Sequence, residues 1–230
     1  MRNGIQMLVV SGLFAATLVA AIVLFVPSSI PAPSVAQPET QQPMPEPQPE
    51  PAPAPQAEVK TYTNAKPAFS VMYPETIIYS DDVSDMQLSG YIPVCDPEQA
   101  VVCFPVPKDA YPGTNFESAA FAVHLRSDLK KQAACEASDS GEMPDGEATI
   151  NGVLYKKFSF GDAAAGHRLE GENYRVFRDG RCIELSTRVA TTVFENYEPG
   201  TVAPFSDDNR SALQALLERM LLSFRFVNGS

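Results

Sequence analysis

The sequence predicts an α+β domain: an antiparallel β-sheet, laid down as a meander of hairpins and packed against a C-terminal helix and a shorter helix. Three observations carry this prediction. Two dipeptides, Asn151-Gly152 and Asp179-Gly180, stand between β-rich flanks and suit tight turns that need positive φ at both central residues. Near the C-terminus a capping cluster is followed by an apolar stripe at helical spacing. The 230-residue chain also begins with two segments that cannot join a core, which leaves room for a single domain.

The first of these segments, residues 7–26, is uncharged and rich in Leu, Val, Ile, Ala and Phe, with Arg2 ahead of it. About 20 apolar residues rising about 1.5 Å each match a hydrocarbon core of about 30 Å, so residues 1–26 are expected to form an N-terminal signal anchor, a single transmembrane helix. A cleaved signal peptide is the alternative, which would make the protein secreted. Its nearest small-x-small site, Ser34-Val35-Ala36, lies well past the apolar stretch and behind Pro27, Pro31 and Pro33, which favours retention. The short basic side then stays in the cytoplasm, and everything after residue 26 faces outward.

Residues 27–56 form a linker that holds eleven of the 21 prolines, with Gln, Glu and Ala and no apolar periodicity. Such a segment favours extended polyproline II over a packed core, and at about 3.1 Å per residue it reaches up to roughly 90 Å. It reads as a spacer. Alternating Pro-Glu and Pro-Ala without a flanking basic residue is a poor match to ligands of proline-binding modules.

The domain itself is assigned to residues 57–230. Residues 69–73 and 115–125 read as strands and 126–136 as the shorter helix. A two-residue turn at Asp179-Gly180 pairs Val176 with Ile183 and Tyr174 with Leu185 on one face. On the other face it pairs Phe177 with Cys182 and sets Arg175 opposite Glu184 as an ion pair. Around Asn151-Gly152, Ala148 and Ile150 lead into Val153, Leu154, Tyr155, Phe158 and Phe160; with residues 161–166 as the connecting loop, a four-strand meander spans about 147–193. Ser206, Asp207 and Asp208 then cap a helix over 208–222, whose stripe is Leu213, Leu216, Leu217, Met220, Leu221 and Phe224. One face of the sheet is its natural partner. Phe224-Arg225-Phe226-Val227 alternates and returns as a last strand.

The domain carries all but one of the chain's 17 basic side chains and 25 of its 28 acidic ones. That acidic balance repels phosphate backbones and anionic headgroups and argues against nucleic-acid binding. The basic cluster of Arg126, Lys130 and Lys131 reads as a solvated helix face. Four cysteines outside the cytoplasm suggest disulfides among Cys95, Cys103, Cys135 and Cys182. Of three possible pairings we favour Cys95 with Cys103, closing a short loop between Pro93 and Pro105, and Cys135 with Cys182, stapling the short helix to a hairpin strand. Zinc binding is the alternative, but there is no Cys-x-x-Cys pair and the chain has only two histidines.

The search for chemistry assigns no catalytic, cofactor or metal residue. His124 ends a strand face shared with Phe116, Ser118, Ala120 and Ala122 and reads as a partly buried structural histidine. His167 opens a strand beside Arg168 and reads as exposed. Asp81, Asp82 and Asp85, and the four acids of 139–147, lack calcium-loop spacing and read as acidic surface. Residues 161–166 lack the Lys and Ser or Thr of a phosphate loop, and no nucleophile elbow is present.

The opening of the domain, Tyr62-Thr63-Asn64 and then Phe69-Ser70-Val71-Met72-Tyr73-Pro74, resembles the start of PsbP-type domains and related small bacterial lipoproteins. In those families a strand of the form Phe-Ser-x-x-Tyr-Pro enters an antiparallel sheet on which a long final helix packs. The family's tryptophan after the proline has no counterpart here, where Glu75, Thr76 and Ile77 follow. The resemblance implies an αβα sandwich used for binding or assembly support, with no site residue to carry across. The expected role is therefore that of a membrane-anchored, extracytoplasmic, non-enzymatic domain that binds a protein or envelope ligand. The alternatives are an enzyme whose site is dispersed in sequence and a passive structural element of the envelope.

Overall fold

The computed structural model describes residues 58–81, 94–96 and 98–227. The expected anchor and the proline-rich linker lie outside them, as do Asp82 and Asp85. Among the described residues no helix is long and apolar enough to cross a membrane.

The described residues form an α+β fold of two antiparallel sheets and two α-helices. Strands β1 (Val59–Ala65) and β2 (Ala68–Pro74) make a hairpin. β3 (Ala100–Val106) and β4 (Phe116–Leu125) are followed by α1 (Gln132–Cys135). The meander comprises β5 (Glu142–Ile150), β6 (Val153–Ala164), β7 (His167–Arg178) and β8 (Arg181–Thr192). Helix α2 (Asp207–Ser223) and β9 (Arg225–Phe226) end it. The large sheet has the order β3-β4-β8-β7-β6-β5, and β1-β2-β9 form the small one.

The meander's registers follow from its turns. Asn151 and Gly152 have φ of 47° and 80°, and Asp179 and Gly180 have 51° and 73°, the left-handed values that match the twist of the flanking strands. The β7–β8 register pairs Val176 with Ile183, Tyr174 with Leu185, Phe177 with Cys182 and Arg175 with Glu184, as the alternation predicts. Residues 161–166 are not a loop. β6 runs to Ala164 and β7 starts at His167, so a third two-residue turn, Ala165-Gly166 with φ of 50° and 84°, closes the hairpin. Alanine rarely occupies that region, and the sequence signal for this turn was correspondingly weak.

Two further expectations are corrected. Residues 126–136 contain only one helical turn, because the Arg126 amide bonds to the Cys182 carbonyl at 3.0 Å and Lys131 is extended, with φ of −129° and ψ of 146°. The segment between Cys95 and Pro105 is not only a loop. Its second half is β3, a sheet edge where a proline is tolerated.

The core lies between one face of the large sheet and a layer made of α2 and the small sheet. Ser206 caps α2 by accepting a hydrogen bond from the Asn209 amide at 3.2 Å. The helix then buries Leu213, Leu217, Met220 and Leu221 against Phe69, Val71, Phe121, Val123, Leu185 and Phe224. On the opposite sheet face lie Val94 and Cys95 and, against Arg175, Ala137 and Asp139, so among the described residues that side is irregular with a single helical turn, Gln132–Cys135. The disulfide Cys135–Cys182 ties that turn to β8, and Cys95–Cys103 ties residues 94–95 to β3, with Cα–Cα separations of 5.5 and 6.2 Å.

Candidate functional site: a polar cleft on the outer face of the large sheet

Strands β4, β8 and β7 are neighbours, and their registers set His124, Glu184 and Arg175 side by side on the face away from α2. All three are at most 2 % exposed. An unpaired charge there would be costly, and each is paired. Arg175 Nε donates to Glu184 Oε2 at 2.5 Å, Arg126 Nη1 donates to the same oxygen at 3.1 Å, and His124 Nδ1 lies 3.0 Å from Oε1. Burial pushes the Glu184 carboxyl up, but His124 and Arg175 outweigh it and hold it at about 2.

The rest of the network comes from the covering segment. Arg126 Nη2 donates to Asp139 and Asp128, both at 2.8 Å. Arg175 donates to Glu142 at 2.5 Å, Asp139 at 3.0 Å and the Ala137 carbonyl at 2.9 Å. Burial opposes the Arg126 charge, and the Asp128, Glu184 and Asp139 carboxylates overcome it, raising its pKa. Arg126 is therefore not part of a solvated basic face. Lys130 and Lys131 are exposed, while Arg126 is drawn under the segment that bears it. Asp139 and Glu142 serve the arginines, and among the described residues no group of His, Cys, Asp and Glu is arranged to hold a metal ion.

Beside this network opens a cleft of about 510 Å³, lined by Arg126, Arg175 and Glu184 on one side and by Phe160, Leu169 and Arg188 on the other. Arg188 differs from the other two arginines. Its guanidinium lies over the Phe160 ring, 5.3 Å from the centroid, and its buried Nε has no hydrogen-bond partner among the described residues. Burial lowers its pKa, with Glu184, Asp96 and Glu142 acting at longer range to raise it. Other orphaned polar atoms, Ser118 Oγ, Asn173 Oδ1 and Ser186 Oγ, lie on the same face, where Asn173 pairs in register with Ser186. Buried polar groups are normally satisfied, so these atoms are where this face has hydrogen-bonding capacity to spare among the described residues.

A larger groove, about 590 Å³, runs between α2 and the other face of the meander. Its basic side chain, Lys157, is already held by Asp145 at 2.9 Å and Glu172 at 2.7 Å. The smaller cleft therefore offers the uncommitted chemistry.

Both histidines reach a carboxylate. His167 is half-buried and sits 2.8 Å from Glu117, where the sequence suggested exposure. His124 Nε2, the nitrogen that would have to meet a nucleophile, is buried without a partner, and all four cysteines are in disulfides. Sequence reasoning found the Arg175–Glu184 pair and missed Arg188, Asn173 and Ser186. The available signal was parity: Cys182, Glu184, Ser186, Arg188 and Ala190 share one face of β8, so Arg188 lies on the same outer face as Glu184.

No protein-family model and no curated protein matches the chain. Among solved structures it is similar to the solution structure of cyanobacterial PsbP (CyanoP) from Synechocystis, at 12% identity and a TM-score of 0.37, covering 76% of this chain and 96% of that one. It is also similar to the crystal structure of the Saccharomyces cerevisiae Ran-binding protein Mog1p, at 14% identity and a TM-score of 0.40, covering 75% of this chain and 97% of that one. A PsbP thus stands among the structures this chain resembles, as the opening strand implied, and the likeness is one of fold.

Proposed function

We propose that this is a membrane-anchored protein whose extracytoplasmic domain binds a ligand without transforming it, in support of an envelope component or complex, and that the Arg188 cleft is where it binds. The observation that carries this reading is a half-buried guanidinium over the Phe160 ring, with an unpaired Nε among the described residues, in a cleft whose other arginines are bonded to carboxylates. The uncharged residues 7–26 and the proline-rich 27–56 support a tethered topology, and the two disulfides fit an oxidising compartment.

Two measurements test it. In fractionated cells the full chain is expected in the membrane pellet with its domain open to protease from outside; recovery as a soluble cytosolic protein with reduced thiols overturns the topology. Native mass spectrometry of the full chain extracted from its own membrane is expected to show a bound species that Arg188→Met loses. The same bound species on both proteins would remove the cleft as the binding surface.

A further inference from the structure

We propose that the cleft is a receptor for a small monocarboxylate, held by Arg188 against the Phe160 wall. This rests on the reading of the cleft as a binding site and names its ligand class.

The receptor is built across three strands. Phe160 on β6, Gly171 on β7 and Arg188 on β8 form one cross-strand row. Gly171 is required there, since a Cβ would press on the Thr187 carbonyl oxygen and lie 2.8 Å from Phe160 Cζ. The bare backbone leaves room for the ring beside the row, and the Arg188 guanidinium lies over it, 5.3 Å from the centroid. A planar cation already held against a ring and half-buried loses less freedom on binding than a free one, and its forked N–H groups match the two oxygens of a carboxylate.

Charge decides between anions. Arg126 and Arg175 are both bonded to carboxylates, Glu184, Asp139, Glu142 and Asp128, whereas Arg188 makes no close ion pair among the described residues. With Asp96, Asp139, Glu142, Asp162 and Glu184 set against three arginines the lining is already net negative, so the ligand should carry no more than the single charge that the Arg188 fork engages. A second, as on a phosphate dianion, would meet the field of Asp96, Asp162 and Glu142, which line the same space. The volume of about 510 Å³ falls among small-molecule sites, and Phe160 and Leu169 offer an apolar wall for the body of the ligand.

The test is isothermal titration of the full chain in a non-ionic detergent with benzoate and, separately, inorganic phosphate. Benzoate is expected to bind at one saturable site. Arg188→Met and Arg188→Lys are each expected to weaken it by about tenfold or more, because the lysine keeps the charge and loses the fork. Asp162→Asn, an exposed change on the rim, is expected to tighten it and needs no change in the core. Unchanged benzoate affinity in an Arg188→Met protein that melts like the parent overturns the inference. Phosphate binding tighter than benzoate with the same dependence on Arg188 overturns the monocarboxylate class and leaves the cleft standing as a site. No saturable binding of either probe, in the parent or in Asp162→Asn, overturns the inference too; the cleft reading then depends on whether the co-purified species needs Arg188.

Discussion

Replacing Glu184 by glutamine keeps the shape of a side chain that is 2 % exposed and removes its charge. In the parent this carboxylate receives Arg175 Nε at 2.5 Å and Arg126 Nη1 at 3.1 Å, with His124 Nδ1 at 3.0 Å. Removing one partner of a buried ion pair costs about 3–5 kcal/mol. The lower end applies here, because Arg175 keeps Glu142 and Asp139, and Arg126 keeps Asp128 and Asp139.

Linkage gives an independent figure. The carboxyl is held at about 2 in the folded chain against 4.5 ordinarily, a difference worth about 3 kcal/mol. Because the folded value is the lower one, this stability is fully present above pH 4.5 and is lost as pH falls through about 2. Both routes agree on about 3 kcal/mol at pH 7, or roughly 6–12 °C in melting temperature for a domain of this size. The assay is urea and thermal unfolding of parent and Glu184→Gln between pH 7 and pH 2 with the disulfides oxidised. The gap between the two proteins should be constant from pH 7 to about 5 and then close towards pH 2. Carboxylates outside this network lower both curves alike, so the difference reports Glu184 together with the Asp128, Asp139 and Glu142 carboxylates that share its arginines. A gap that stays the same at pH 2 as at pH 7 would refute the claim that its charge stabilises the network.

Three further outcomes are expected. Removing Cys135–Cys182 by a double alanine substitution should cost about 4 kcal/mol on the loop-entropy relation, against about 2.5 kcal/mol for Cys95–Cys103; with separations of 47 and 8 residues the order should survive any offset, and equal losses in urea unfolding would contradict it. Gly171→Ala should lower stability by about 1–3 kcal/mol or more and quench the Phe160–Arg188 stack, seen as a shift of the Phe160 ring resonances; a neutral effect would mean that the row is not tightly packed. Asn151 Nδ2 donates to the carbonyls of Leu222 and Phe224 at 2.8 and 2.7 Å from a residue with φ of 47°. Asn151→Gly should therefore cost about 1–3 kcal/mol through lost hydrogen bonds alone, and Asn151→Ala more, because it adds backbone strain; equal melting temperatures would sink that ordering.

Much of the fold was legible because local rules governed it. A two-residue turn at Asp179-Gly180 permits one register, and with period-two alternation this places Arg175 opposite Glu184 on the face away from the core. Ser206 and the stripe from Leu213 to Phe224 likewise define α2 without reference to the rest of the chain. Local rules misled where tertiary contacts overrode them. Arg126 reads as a helix-face cation, yet it is pulled into the carboxylates of Asp139 and Glu184, and the expected helix shrinks to Gln132–Cys135. Ala165 carries no turn signal, yet the pairing of β6 with β7 holds it at positive φ.

The sequence by itself determined the α+β class, the meander with two of its turns, the terminal helix and the acidic character of the domain, because each depends on residues within a few positions of one another. Only the tertiary structure decided that His124, Arg175 and Glu184 share a buried network, and that Phe160, Gly171 and Arg188 stand in one row beside a cleft. Those groups come from strands far apart in the chain. Their burial, and the Arg188 guanidinium that makes no close ion pair among the described residues, arise from strand order and register, which no local pattern encodes.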